Sequence, residues 1–181
     1  MENLRFCPKC GTNNLHWDNN IKWFCSNCDF VLFHNCAAAV AVIITYKNEL
    51  FFTVRNQNPE IGKLDLPGGF SDPKESSEET CSRELHEELG ISIDINKLNY
   101  LGSRPNIYPY KNIIYNTLDL FYEYESEEKF EVKLEISEIS ETVWLKIKDI
   151  NPAEIAFENQ LAGQAQEDLQ RPSIGCNIKW K

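Results

Sequence analysis

The sequence predicts an α/β protein: an α/β/α sandwich around a mixed sheet, preceded by a small β ribbon. Three observations lead there. Strand-like runs lie on both sides of one short, highly charged helix near residues 76–89. Four cysteines in two close pairs fall within the first 34 residues. The composition is that of a globular chain, 42% hydrophobic and 12% aromatic over 181 residues, long enough to bury a real core. Residues 1–34 read as the ribbon and 35–181 as the main domain. That domain has its core at 36–150 and a C-terminal helix and tail over 151–181.

The ribbon comes first. Cys7-x-x-Cys10 and Cys25-x-x-Cys28 are separated by fourteen residues, the arrangement of a tetrahedral zinc site. Gly11 after the first pair and Asp29 after the second suit turns whose N–H groups point at thiolates. Four thiolates close the shell, so the Zn²⁺ expected here is structural, and His16 and His34 find no vacancy. Disulfide pairing is the alternative and would require an oxidising compartment. Two short hairpins are expected, with Trp17, Trp23, Phe24 and Phe30 as a miniature core. Cys36, Cys81 and Cys176 stand alone and read as small core residues.

Cys36 to Tyr46 is a continuous apolar, β-branched run, as in a buried strand. Glu49 to Val54 reads as a second strand, folded back on the first through the polar turn Lys47-Asn48. Asp65-Leu66-Pro67-Gly68-Gly69-Phe70 leads toward the helix, and its two glycines let backbone approach a ligand closely. Further strands are expected near Leu98–Gly102, Ile114–Glu123, Phe130–Leu134 and Thr142–Ile147. Pro152 to Gln170 has helical composition, with Ile155, Phe157 and Leu161 as buried positions.

The helix itself carries both its boundaries. Ser76 with Glu79 three residues on is a capping-box pattern, and Asp72-Pro73 suits the turn before it. Gly90 supplies a left-handed residue that ends the helix near Leu89. At about 100° per residue, Glu84, Glu87 and Glu88 share one arc, while Cys81, Leu85 and Leu89 share the neighbouring one and face the core. Three clustered carboxylates repel one another unless a cation joins them. They form a hard, all-oxygen site suited to Mg²⁺ or Mn²⁺. Arg83 cannot bind metal and is expected to brace Glu75 across the loop through a bidentate pair. A solvated acidic helix face is the alternative.

The same segment fits the Nudix box, G-x5-E-x7-R-E-U-x-E-E-x-G-U with U a bulky aliphatic residue, at every position. Gly69, Glu75, Arg83, Glu84, Leu85, Glu87, Glu88, Gly90 and Ile91 carry the match. The chain therefore resembles a Nudix hydrolase over roughly residues 36–150. Its first segment resembles the zinc ribbon that precedes the Nudix domain in NADH pyrophosphatases. The resemblance implies the α/β/α fold and hydrolysis of a nucleoside diphosphate linked to another group. In that reaction water attacks one phosphorus while divalent metals neutralise the developing charge. It also implies Glu84, Glu87 and Glu88 as metal carboxylates, the Gly69 carbonyl as a further candidate ligand, and Arg83 with Glu75 as catalytic support. Glu141-Thr142-Val143-Trp144 resembles the E-x-x-W placed after the penultimate strand, which makes Glu141 a candidate general base. An exposed loop acid, in a stretch already holding Glu135 and Glu138, is the other reading of Glu141.

NADH pyrophosphatases carry S-Q-P-W-P-F-P-x-S after the box; here the corresponding run is Ser103-Arg104-Pro105-Asn106-Ile107-Tyr108-Pro109-Tyr110-Lys111. Ser103, Pro105 and Pro109 match and Tyr108 keeps a ring, whereas Arg104, Asn106, Ile107 and Lys111 depart. In a proline-stiffened loop, Tyr108 or Tyr110 could stack on a base while Arg104 or Lys111 meets phosphate. An ordinary proline turn is the alternative. Phe70, in the lead-in, is a further candidate substrate contact.

A net charge of −10 argues against a general nucleic-acid binder, and the charges of the ribbon cancel. The expected partner is a small nucleotide. No apolar run approaches ~20 residues and no basic-then-apolar leader opens the chain, so the expectation is a cytoplasmic protein without a membrane span. The NADH pyrophosphatase resemblance also implies a homodimer. Three functional readings stay open: an NAD(H)-type dinucleotide pyrophosphatase, an ADP-ribose or other nucleoside diphosphate sugar pyrophosphatase, and a non-catalytic nucleotide sensor.

Overall fold

A computed structural model describes residues 4–111 and 113–157. In chain order its elements are β1 (Leu15–Trp17), β2 (Lys22–Cys25), β3 (Val31–Phe33), β4 (Ala37–Tyr46) and β5 (Glu49–Arg55). They continue with β6 (Leu64–Asp65), α1 (Ser77–Leu89), β7 (Asn99–Tyr110), β8 (Ile113–Glu125) and β9 (Ile139–Lys146). Short 3-10 turns occupy Ile95–Lys97, Ile147–Asp149 and Pro152–Glu154. The helix expected from Pro152 does not start there: Pro152–Glu154 is a single 3-10 turn and Ile155 bridges to Leu64 of β6, so that Ile155 is buried as expected and Phe157 only half-buried. The rest of that segment through Gln170, with Leu161, and the lone Cys176 lie outside the described residues.

The ribbon is one three-stranded antiparallel sheet, β1-β2-β3, in which consecutive strands form the two hairpins. Trp17 lies opposite Trp23, ring centroids 4.5 Å apart, over a core of Cys7, Leu15, Trp23 and Cys25 with Phe30 against it. Phe24 is not part of that core. It stands between the buried Trp23 and Cys25 on β2, and the two-residue period of a strand turns it outward.

The main sheet runs β6-β5-β4-β8-β7, with β9 on the other side of β5. It is mixed, because β4 and β8 are parallel while the other pairs are antiparallel. Both faces are covered, so β4 reads apolar without interruption from Ala37 to Ile44. Val40, Val42 and Ile44 meet Cys81, Leu85 and Leu89 of α1 on one face. Ala41 and Ile43 meet Phe52, Phe121, Ile150 and Ile155 on the other. The lead-in strip continues the sheet along β4: Val42 N donates to Pro67 O, Val40 N to Gly69 O, and Ser71 N to Ala38 O. That strip hands the chain to α1.

Three expectations are corrected. Residues 103–110 are not a loop but the second half of β7, in register with β8 from Tyr110↔Ile113 back to Ser103↔Leu120. Pro105 and Pro109 are tolerated because β7 is the sheet edge and needs no bond on its outer side. Phe130–Leu134 is not a strand. Phe130, Val132 and Leu134 do pack on the helix side of the core, but Lys133 N and Glu135 N donate to Leu89 O and Glu88 O. Those are carbonyls that the end of α1 leaves without helical partners. Cys36 is exposed just ahead of β4, whereas Cys81 is buried as expected.

Gly68 has φ +146°, and a Cβ there would lie 2.2 Å from the Val40 carbonyl oxygen. Gly62, at φ +83°, would place its Cβ in open space. Gly68→Ala should therefore cost about 2–4 kcal/mol of unfolding free energy and Gly62→Ala only about 1 kcal/mol. Urea denaturation of the two variants measures the difference; equal losses would contradict the packing at Gly68.

Candidate active site

The site is assembled on α1, whose second half carries the three acids. Ser76 caps it, accepting from Glu79 N while the Glu79 carboxylate accepts from Ser76 N, and Gly90 closes the far end at φ +70°. With both ends fixed, Glu84, Glu87 and Glu88 project from one side while Leu85 and Leu89 stay buried. The three acids line a cleft with a cavity volume of about 530 Å³.

Arg83 organises the acids. Its Nε and Nη2 grip the Glu75 carboxylate at 2.8 and 3.1 Å. Nη1 reaches Glu84 at 2.8 Å and Glu87 at 2.9 Å, and Nη2 also donates to the Phe70 carbonyl at 2.9 Å. Hydrogen bonds from Arg83 hold the Glu75 carboxyl below its ordinary pKa, and the same bonds raise that of Arg83. Glu84 rests against the main chain of Gly69, where an added Cβ would come within 2.6 Å of its carboxylate. Gly69 O already accepts from Val40 N at 2.8 Å, which turns it into the sheet.

Two of the acids are raised. Burial pushes the Glu84 carboxyl up, with Glu87 and Glu138 adding to it and Arg83 opposing. Glu88 is pushed well above the usual carboxylate range, again chiefly by burial, although Gly68 N–H donates to it at 3.1 Å. It keeps some accessible surface yet is closely surrounded by protein and by the charges of Glu84, Asp65 and Glu138. This is a carboxylate set that favours a cation, and its all-oxygen donors suit Mg²⁺ or Mn²⁺. To hold one, Glu84 and Glu87 would exchange Arg83 Nη1 for the ion.

The opposite wall comes from β7 and β8. Asn106, Tyr108 and Tyr110 alternate into the cleft along β7, and Thr117 and Asp119 do so along β8. Asp119 accepts from Thr117 Oγ1 at 2.6 Å and from Asn106 Nδ2 at 2.9 Å. Tyr108 is the hub of an aromatic corner: Phe70 meets it edge-on at 5.6 Å, Phe157 at 5.9 Å, and Tyr110 stacks at 6.4 Å. Arg104 shares that face of β7, opposite Asp119, but does not line the cleft. Nor does Glu141, which is exposed on β9 opposite Val54; Glu138 lines the cleft rim instead. The sequence reading passed over Arg55, Asp65, Asp119 and Glu138. An acid inside the apolar run of β8 was the available signal for Asp119.

The cysteines form a separate cluster. Among the described residues, the sulfurs of Cys7, Cys10, Cys25 and Cys28 all lie within 4.8 Å of one another, with Cys7–Cys28 at 3.6 Å and Cys10–Cys25 at 3.8 Å. All four are free thiols. Bonds of about 2.3 Å to one tetrahedral ion would set the sulfurs about 3.8 Å apart, so the cluster has the size of a zinc shell.

Comparison with known proteins adds relatives to this geometry. A family model for the NUDIX domain matches residues 35–163. The chain is 26% identical over 151 residues to the NAD-capped RNA hydrolase NudC of Vibrio parahaemolyticus, covering 83% of this chain and 54% of that protein. It is 28% identical over 146 residues to the protein of the same name from Haemophilus influenzae, covering 80% and 52%. The chain thus spans about half the length of these curated relatives. Among solved structures, a NUDIX hydrolase from Nitrosomonas europaea superposes with TM-score 0.63 at 20% identity, covering 91% of this chain and 92% of that one. The NUDIX domain of Shewanella oneidensis NrtR, complexed with ADP ribose, gives 0.60 at 23% identity, covering 76% and 91%. These neighbours share the fold. With a family model matched over well more than half of its length, the chain belongs to the NUDIX family.

Proposed function

We propose that the protein hydrolyses the pyrophosphate bond of a nucleoside diphosphate linked to another moiety, an NAD(H)-type dinucleotide first among them. One observation carries the reading: half-buried carboxylates with raised proton affinity, Glu84 and Glu88, sit at one end of a cleft whose other end is aromatic. Such acids are costly unless a cation joins them, and a pyrophosphate is the anion that shares such a cation. Glu84, Glu87 and Glu88 would hold Mg²⁺ or Mn²⁺, which supplies charge neutralisation on phosphoryl oxygens and a more acidic bound water. Arg83 and Glu75 keep the acids in position. Glu138, at the cleft rim, is better placed than Glu141 to take the proton of the attacking water. Phe70, Tyr108 and Phe157 offer a stacking corner for a base.

In this reading residues 1–34 form a ribbon around structural Zn²⁺, residues 35–181 form the hydrolase domain, and the enzyme works as a cytoplasmic homodimer. No helix among the described residues is long and apolar enough to cross a membrane. A second reading extends the first. Tyr110 stacks outward from Tyr108, and Lys111 Nζ lies 4.9 Å from the Tyr110 ring, a path along which a nucleotide chain attached to the dinucleotide could leave. The name of the Vibrio and Haemophilus relatives, NAD-capped RNA hydrolase, favours this substrate form. Release of nucleoside monophosphate from NADH, ADP-ribose, other nucleoside diphosphate sugars and an NAD-capped oligoribonucleotide ranks the readings. Inactivity on all four with Mg²⁺ and Mn²⁺ present would sink the hydrolase assignment.

Three predictions follow from these roles. Glu88→Gln keeps the shape and the Gly68 hydrogen bond, so turnover should fall by about 10³-fold or more while metal-free stability rises by about 1–2 kcal/mol. Near-normal turnover would remove Glu88 from the reaction. Brief EDTA treatment should abolish hydrolysis, and Mg²⁺ or Mn²⁺ should restore it while about one zinc per chain persists by atomic absorption. Zinc-free protein as purified would refute the ribbon assignment. Tyr108→Ala should raise KM for NADH by about tenfold to a hundredfold with a smaller loss in kcat, since base stacking contributes about 1–3 kcal/mol. An unchanged KM would show that the aromatic corner does not touch substrate.

A further inference from the structure

Seven acids line the cleft against two arginines. Arg83 is used up: Nε, Nη1 and Nη2 all donate to Glu75, Glu84, Glu87 or the Phe70 carbonyl. Arg55, at the end of β5, is not. Its Nε donates to Pro59 O at 2.7 Å, its Nη1 pairs with Asp65, and its guanidinium lies over the Phe157 ring at 5.1 Å. Nη2 is buried and has no hydrogen-bond partner of good geometry among the described residues, although the Tyr108 hydroxyl lies near enough to the guanidinium to favour its charged form. A buried guanidinium edge left without an acceptor is unfavourable unless some other group meets it.

A structural role explains part of this. Arg55 N donates to Lys63 O and Gly62 N donates to Arg55 O, so its main chain closes the loop between β5 and β6, and Nε fastens Pro59 to it. Closure of that loop requires nothing of Nη2. The residue also lines the cleft, beside Asp65, whose charge is felt by Glu88, and beside Tyr108 and Phe157. The uncommitted edge therefore belongs to the space between the carboxylate end and the aromatic end. That is where the linking phosphates of a dinucleotide would pass.

We propose that Arg55 binds a phosphoryl oxygen of the substrate through Nη2, as the one side-chain cation lining the cleft, among the described residues, with a donor to give. The ligand class is a pyrophosphate diester or a phosphate monoester product, and a planar guanidinium suits either. The inference rests on the hydrolase reading above. Asp65 sets the orientation of the guanidinium and offsets its charge, so it tempers the affinity for phosphate. Because Nη2 is buried, the side chains that cover it must shift as the substrate enters.

Arg55→Lys keeps a positive charge within reach of Asp65 but loses the fork; Asp65→Asn keeps the arginine and removes its counter-charge. Kinetics on NADH and on ADP-ribose, competitive inhibition by AMP, and Tm are measured for both variants. For Arg55→Lys, KM on both substrates and the inhibition constant for AMP should rise by about tenfold, with kcat falling less and Tm little changed. For Asp65→Asn the same constants should fall. Opposite directions are the signature of phosphate binding. Unchanged constants, or constants that move the same way in both variants alongside a lower Tm, would overturn the proposal and leave Arg55 as a loop fastener. If the wild type cleaves no diphosphate, the hydrolase reading fails on its own, and Arg55 is then judged by thermal shift with ADP-ribose and Mg²⁺. Stabilisation of the wild type that Arg55→Lys loses would support the site. Equal stabilisation of both, or none of the wild type, would end it.

Discussion

The guanidinium of Arg83 ties together the loop residue Glu75, the helix residues Glu84 and Glu87, and the carbonyl of Phe70 at the end of the lead-in strip. Without it, these three acids would repel, and among the described residues no other cation pairs with them. The pairing with Glu75 is a two-point grip, so it fixes angle as well as distance. It also ties the loop before α1 to the helix itself, which keeps the strip at residues 67–71 zipped against β4. A lysine could supply the charge there but not the fork.

That strip accounts for the shape of the cleft. Gly68 lets the main chain come within van der Waals range of Val40 without a side chain between them, and Gly69 leaves room for the Glu84 carboxylate. On the same strand, Ala39 and Ala41 line the floor where larger residues would fill the space. Small residues in the cleft floor and half-buried acids beside them both reduce stability. The apolar faces of β4, β5 and α1 offset that loss with nearly continuous burial.

Local features were legible in the sequence to the extent that they were local. The capping box at Ser76, the end at Gly90 and the facing arc of acids all rest on contacts within a few residues, and α1 came out at its expected limits. The cysteine pairs were readable for the same reason. Prolines hid β7, because a proline argues against a strand except at an edge, and edge position depends on the whole sheet. The period-two pattern at Phe130, Val132 and Leu134 was real, but its backbone partners proved to be helix carbonyls rather than a strand. Glu138 replaced Glu141 at the cleft because the pairing of β9 with β5 shifts register between Val54 and Arg55, which breaks the simple alternation. Arg55 and Asp65 carried no sequence signal, since ten residues and a loop separate partners that meet only in the fold.

The prolines of β7 have a consequence for how the molecule meets its neighbours. Pro105 and Pro109 stand on a strand whose outer side is unpaired among the described residues, and neither has an N–H to offer. A second strand approaching that side would find its ladder interrupted at two places, four residues apart. Exposed Ile107 and Ile114 beside them make the surface sticky without making it a template for strand addition. Contacts made through this part of the molecule therefore rest more on side chains than on a continuous backbone ladder. They can form and release without the runaway, sheet-extending growth that an open edge invites.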